Sequence, residues 1–250
     1  MEERISRLIL ERGFEELKSG LSLDVAIAGG GASGLVAAKY LAEKKKKVGV
    51  FEKRLSLGGG MWGGGMLFPY LIFEKSAIPI LKDFKIDFTE KEDLLITKSV
   101  ETVGRLIIGA VEAGVKIYNG ISVEDLVVRK DRVAGVAIEW TAVEMASLHI
   151  DPLAVLSQFV IDATGHEAVL CHIAEKKVGP LFTRSGKVEG EKSLWVEEGE
   201  PKLLSNTREV YPGLFVTGMA ANNAFGGERM GPIFGGMFLS GKKVASMIDR

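Results

Sequence analysis

The chain has 250 residues, of which 46% are hydrophobic and 26% charged, with a formal net charge of -1 and one cysteine. That length buries a sizeable core, and the near-neutral charge argues against nucleic acid as a partner. A single cysteine excludes an internal disulfide framework and fits a reducing cytoplasm, while no apolar stretch reaches bilayer length and the mixed-charge start Met1-Glu2-Glu3-Arg4 is neither a signal peptide nor an acid-poor transit peptide.

In chain order, residues 4–19 place Ile5, Leu8, Ile9 and Phe14 near helical spacing, which predicts an amphipathic helix able to cover a sheet edge or a neighbouring subunit. The apolar run Val25-Ala26-Ile27-Ala28 then leads into Gly29-Gly30-Gly31-Ala32-Ser33-Gly34, a small-residue helix over 35–42, a second apolar run Val48-Gly49-Val50-Phe51, and Glu52. Strand, glycine turn, helix, strand and acid in this register form the dinucleotide-binding βαβ unit. Gly31 lets a pyrophosphate approach bare N–H groups at a positive helix end, and Glu52 accepts hydrogen bonds from ribose hydroxyls. Lys44-Lys45-Lys46-Lys47 falls between that helix and the second strand and reads as a solvated turn. The segment Gly58 to Met66 is too glycine-rich for helix or strand, and serves either as a ligand-lining turn or as a lid with no contact role.

Residues 71–95 hold short mixed elements without a clear period. Val100, Val103, Ile107 and Val111 predict a helix over 99–113, ended by Gly114, with a buried strand at 115–118. A hairpin over 121–128 and 132–140 turns at Arg129-Lys130-Asp131. Phe159-Val160-Ile161-Asp162-Ala163-Thr164-Gly165 is a further buried strand ending in a glycine turn, Leu214 to Gly218 repeats the pattern, and 231–248 reads as helix. All three histidines lie between 149 and 172, which by itself suggests a metal. His166 and His172 are six apart and would face different sides of one helix, so His172 reads as ordinary.

The GxGxxG unit with Glu52, the strand closing in Ala163-Thr164-Gly165, and the late strand Leu214 to Gly218 together resemble the glutathione-reductase-type flavoprotein superfamily. That resemblance implies an α/β dinucleotide-binding fold with a parallel central sheet and an additional antiparallel sheet, expected here as one domain over 1–250 with an N-terminal helix and an inserted β-hairpin region. In those flavoproteins an acid follows the last strand and contacts the flavin. Met219 stands there in this chain, and a second nucleotide fingerprint is absent.

Longer segments carry a closer likeness: Gly58 to Pro69, Met145-Ala146-Ser147-Leu148-His149-Ile150-Asp151-Pro152, Asp162 to His166, and Gly218-Met219-Ala220 through Gly226-Gly227-Glu228-Arg229-Met230-Gly231-Pro232. These resemble the thiamine thiazole synthase family. The resemblance implies that NAD is a substrate, losing nicotinamide while its ADP-ribose part condenses with glycine and a sulfur source to an adenylated thiazole carboxylate. In one branch of the family a cysteine just before the Asp-Pro pair donates its own sulfur. His149 holds that place here, so the chain resembles the archaeal-type branch, which uses free sulfide and Fe(II) and turns over.

Carried onto this sequence, the resemblance places Ser33, Glu52, Lys53 and Gly60 around adenosine and diphosphate, Val123 on adenine through its backbone, and His149, Ile150, Asp151 and Met219 along the rest of the nucleotide. Arg229 anchors the glycine carboxylate; from the residues alone, a salt bridge to Glu228 or elsewhere is equally expected. His149 is a proton carrier or a spectator. Asp151 and His166 are the expected Fe(II) ligands, against plain roles as a turn residue before Pro152 and a helix-start residue. They flank the strand near 158–164, and seven extended residues span roughly 23 Å, so unless the loop before the strand folds back, each metal is expected to take Asp151 from one chain and His166 from another in a homo-oligomer, an octamer by resemblance. Two other readings remain open: an FAD-dependent oxidoreductase of the same fold, and a non-catalytic NAD-binding protein. No membrane partner is expected.

Overall fold

A computed structural model describes residues 1–248 of the chain. An outlying helix α1 (Glu2–Ser19) precedes β1 (Ser22–Ala28), α2 (Ala32–Glu43) and β2 (Val48–Glu52). Then come β3 (Tyr70–Glu74), α3 (Ile78–Asp83), β4 (Thr89–Lys91), β5 (Leu94–Lys98), α4 (Ser99–Glu112) and β6 (Lys116–Asn119). The hairpin β7 (Ile121–Arg129) and β8 (Arg132–Trp140) leads through α5 (Thr141–Met145) into the long β9 (Leu153–Asp162). The chain continues through α6 (Val169–Lys177), β10 (Lys192–Leu194), α7 (Val196–Asn206), β11 (Glu209–Tyr211) and β12 (Leu214–Val216). It closes with α8 (Met219–Phe225), β13 (Glu228–Arg229) and α9 (Gly235–Ile248).

The central sheet has the order β11-β12-β9-β1-β2-β6, parallel along this path except for the antiparallel edge strand β11, with β8 and then β7 added antiparallel on β9. This is the glutathione-reductase-type α/β arrangement. Its inner strands are apolar on both faces, as parallel strands covered by helices must be: every residue of β2 is buried, and Val25, Ala26 and Ile27 are fully so. Two apolar clusters result. One packs α2, α4 and α9 against one face around Leu35, Leu41, Phe73 and Phe238; the other gathers Ala26, Val136, Val160, Leu170 and Cys171 on the opposite face. The small residues of α2 let it come close. A Cβ at Gly34 would fall 2.1 Å from the Gly29 carbonyl oxygen, and Gly29 itself has φ +102, so the turn and the helix require glycine at both places.

The expected additional antiparallel sheet is β3-β5-β4, built from the stretch without a clear period, and the hairpin β7–β8 joins the central sheet through β8 on the first half of β9. Two expectations change. Helix α4 buries Ser99, Thr102, Val103, Leu106 and Ala110, so that of the expected stripe Val103 is buried, Ile107 half-buried, and Val100 and Val111 exposed. That rotation lets the Thr102 hydroxyl donate to Thr97 Oγ1 at 2.8 Å and Leu106 fill the core. Helix α9 begins at Gly235, because the residues before it are extended: Ile233 bridges to Ile72, and the Phe234 N–H donates to the Ile72 carbonyl.

Helix α1 forms as expected but stands apart. None of its residues is buried, and Ile5, Leu8, Ile9, Leu10 and Phe14 are exposed. Its last turn alone is tied down, by the Tyr118 hydroxyl donating to the Glu16 carbonyl and Lys116 donating to Ser19 Oγ.

At the start of α9, two carboxyls meet. Glu200 of α7 accepts from the Gly236 N–H, and Glu74 at the end of β3 lies beside it. Burial first, then the Glu74 charge, pushes the Glu200 carboxyl up to about 8.

Candidate active site

The carboxyl ends of parallel strands are where α/β sheets bind ligands, and this edge is preorganised. Glu52 is 7% exposed, with one carboxylate oxygen accepting from the Gly30 N–H and the other from the Arg54 N–H, both at 2.9 Å. The acid at the strand end is thereby locked against the glycine turn. The glycine-rich segment backs onto the same turn: the Gly58 N–H donates to the Gly30 carbonyl at 2.8 Å. Residues Gly59–Gly63 form a 3-10 turn, although the composition suggested neither helix nor strand. Gly60 is exposed beside it, with open space around its Cα.

Ser33 is buried in the first turn of α2 and faces the start of α8, since a Cβ at Gly218 would fall 2.4 Å from Ser33 Oγ. Met219 is buried as the first residue of α8. Lys53 extends from the end of β2 and donates to Glu167 at 2.8 Å, which holds the Glu167 carboxyl below its ordinary value. Both side chains are half exposed, so the pair is weak and open to exchange for a ligand anion. Val123, half-buried on β7, follows closely after Asn119, the register partner of Glu52. Ser33, Glu52, Lys53, Gly60 and Met219 thus share one end of the sheet, whereas Val123 is laddered through Ile138 of β8 to Leu153, the first residue of β9.

His166 belongs to that end. Asp162, fully buried, closes β9 by accepting from the Thr164 N–H at 3.0 Å, the Thr164 hydroxyl at 2.7 Å and the Cys171 N–H at 3.0 Å. These bonds shape the 3-10 turn Gly165–Glu167 that displays His166. Its ring is half exposed, its carbonyl accepts from the Asn223 side chain, and Nδ1 lies 2.8 and 3.1 Å from the two Glu191 oxygens. His172 lies on α6 rather than on the same turn, and its ring is exposed, as expected of an ordinary residue.

His149, Ile150 and Asp151 lie elsewhere. All three are exposed in the segment before β9, at the opposite end of that strand. Ten strand residues separate Asp151 from the turn that carries His166, about 33 Å of extended chain. Accordingly, no three His, Cys, Asp or Glu side chains among the described residues come together to hold a metal ion. A carboxylate and an imidazole, both accessible, remain a donor set that suits Fe(II). They fit the metal as two halves that one chain does not join.

Arg229 is exposed on β13 and has no ion-pair partner among the described residues. Glu228 pairs instead with Lys202 at 2.8 Å and Lys192 at 3.6 Å, so the expected alternative, a bridge between Glu228 and Arg229, is not formed. β13 is paired by the strap β10, with the Trp195 N–H donating to the Arg229 carbonyl. Beside this strap opens a cavity of ≈ 570 Å³ lined by Glu191, Lys192, Ser193, Leu194, Trp195 and Glu228. A neighbouring cavity of ≈ 260 Å³ shares Lys192 and holds none of the residues expected from the sequence. Cys171 is sealed in the core, and burial followed by the nearby Asp162 charge raises its thiol well above the ordinary value.

Asp162, Glu191 and Asn223 are the organising residues that sequence reading missed. Asp162 carried a signal, an acid closing an apolar run; the other two carried none.

The Thi4 family matches over residues 6–234. A thiamine thiazole synthase of Desulfosudis oleivorans is 53% identical over 249 residues, covering 99% of this chain and 96% of that protein. One from Methanothermobacter thermautotrophicus is 48% identical over 247 residues, covering 98% and 96%. The crystal structure of Thermovibrio ammonificans THI4 superposes with a TM-score of 0.95 at 44% identity, covering 99% of this chain and 96% of that one. No helix among the described residues is long and apolar enough to cross a membrane.

Proposed function

Because this chain belongs to the Thi4 family, we propose that it is a thiamine thiazole synthase that builds an adenylated thiazole carboxylate from NAD, glycine and sulfide, with release of nicotinamide. The observation that carries the sulfide part is the state of the only thiol. Cys171 is fully buried with a raised pKa, while His149, which has no sulfur to give, is exposed just before Asp151-Pro152. A neutral, sealed thiol is a poor nucleophile and a poor sulfur donor. The sulfur therefore comes from solution, and the protein survives each cycle.

The chain's own groups divide the work. Backbone N–H groups of the glycine turn meet the diphosphate at the N-terminus of α2, a helix-end anion site. Glu52, held by two backbone donors, keeps acceptor capacity for ribose hydroxyls. Arg229, free of acidic partners among the described residues, takes the glycine carboxylate in its planar fork. His149, an imidazole able both to accept and to donate a proton, carries protons during imine formation and ring closure. Asp151 of one chain and His166 of another hold Fe(II), which when bound supplies a Lewis acid. The separation of these two residues along β9 is what supports a shared site in a homo-oligomer. A cytoplasmic setting suits the unpaired thiol.

Anaerobic incubation of the protein with NAD, glycine, sulfide and Fe(II), followed by mass spectrometry, tests this. More than one adenylated thiazole per chain is expected, with the protein mass unchanged. A protein lighter by one sulfur after one round would refute the sulfide reading. Absence of thiazole, with a flavin absorbance in the purified protein, would favour the FAD-dependent oxidoreductase.

A further inference from the structure

We propose that Glu191 is a positioning residue for His166, holding the ring in its Nδ1–H tautomer so that Nε2 is presented as a free donor to the metal. This rests on the reading of His166 as an Fe(II) ligand, but its geometry is independent of that reading. Both Glu191 oxygens lie within hydrogen-bond distance of Nδ1, at 2.8 and 3.1 Å. A carboxylate only accepts, so Nδ1 carries the proton, and in a neutral ring Nε2 is left with its lone pair. Among the described residues Nε2 makes no hydrogen bond, and His166 is the only side-chain partner of Glu191.

The burial is asymmetric in an informative way. The Glu191 side chain is 17% exposed and the ring above it 51%. Two exposed groups sharing a proton would be an ordinary surface pair of negligible consequence. Here the acid is the covered member and the imidazole looks outward over it. The acid is also fixed from both sides. The Glu189 and Gly190 N–H groups donate to the Ala224 and Asn223 carbonyls, and the Lys192 N–H donates to the Gly227 carbonyl. Asn223 in turn donates to the His166 carbonyl. Ring and main chain of His166 are thus gripped by one connected unit, the strap 189–195 and helix α8, which continues into Arg229. Carboxylate support of a ligating histidine fixes ring orientation and raises its basicity.

The test uses the assembled, metal-free protein. Imidazole ¹⁵N NMR in neutral-ring conditions reads the His166 tautomer, and anaerobic titration with Co(II), a spectroscopic stand-in, reads metal affinity. The parent is expected to show the Nδ1–H form. Glu191→Ala should move His166 toward the Nε2–H form and weaken Co(II) binding by about 10–100-fold. Glu191→Gln keeps an acceptor oxygen and should recover part of both; it also serves if the alanine variant does not fold. An unchanged tautomer, or Co(II) affinity within about twofold of the parent, would overturn the proposal. Loss of Co(II) from Glu191→Ala as complete as from His166→Ala would also overturn it, making Glu191 itself a ligand. Should His166→Ala bind Co(II) like the parent, the ligand reading fails, while the tautomer still decides what Glu191 does to the ring.

Discussion

The two ends of β9 are built on opposite plans. At its carboxyl end a buried acid satisfies three donors, the following turn is tied to α6, α8 and the strap, and His166 is held by both main chain and ring. At its amino end Leu148, His149, Ile150 and Asp151 are exposed, as are Trp140 and Met145 nearby. A residue poised for chemistry on its own chain would be braced like His166. On the proposed reading of a shared site, the amino end receives its bracing from another copy, and each site joins the finished end of one strand to the unfinished end of another.

Complementation gives the sharpest way to break this comparison. Asp151→Ala and His166→Ala should each abolish thiazole formation alone. Oligomers reassembled from an equal mixture should regain activity in about one site in four, because an intact site takes each ligand from a different chain. No recovery would place both ligands in one chain.

Stability should separate the ends next. Asp162→Ala leaves buried donors unmet and should cost about 2–4 kcal/mol in denaturant unfolding, whereas Asp151→Ala should stay within about 0.5 kcal/mol. Equal effects would erase the distinction.

The contrast recurs among glycines of the finished end. Gly34→Ala drives a Cβ into the Gly29 carbonyl and should cost about 1–3 kcal/mol. Gly31 has open space and a φ of -82, so Gly31→Ala should leave stability unchanged or slightly higher. It should weaken NAD by about tenfold, about 1.4 kcal/mol by calorimetry, since the proposed function assigns this open space to the diphosphate.

A further effect concerns pH. Glu200 holds its proton up to about 8 when folded, against an ordinary 4.5. The folded state binds that proton more tightly, so the stabilisation is complete below about pH 4.5 and is lost as pH rises to 8. The melting temperature should fall over this window, and Glu200→Gln should flatten the slope.

Much of the finished end was legible in the sequence. Apolar runs closed by glycine mark β1, β9 and β12, because strands buried on both faces leave no other pattern. The stretch 71–98 was not legible. Its strands have three to five residues and alternate between core and solvent, as in β3 and β5, too briefly to establish a period. The face of α4 was misjudged because Ser99 and Thr102 turn inward beside Val103, while Val100 and Val111 face out. Glu191 and Asn223 reach His166 across 25 and 57 residues, and no local spacing announces such contacts.

The burial of Cys171 has a practical consequence. A thiol that is both enclosed and held protonated does not react with maleimides under native conditions, so the natural chain is a blank background for labelling. Met145→Cys, at a side chain 83% exposed near the unfinished end of β9, would carry the sole dye on each subunit. Its fluorescence would then report whether another copy covers that end.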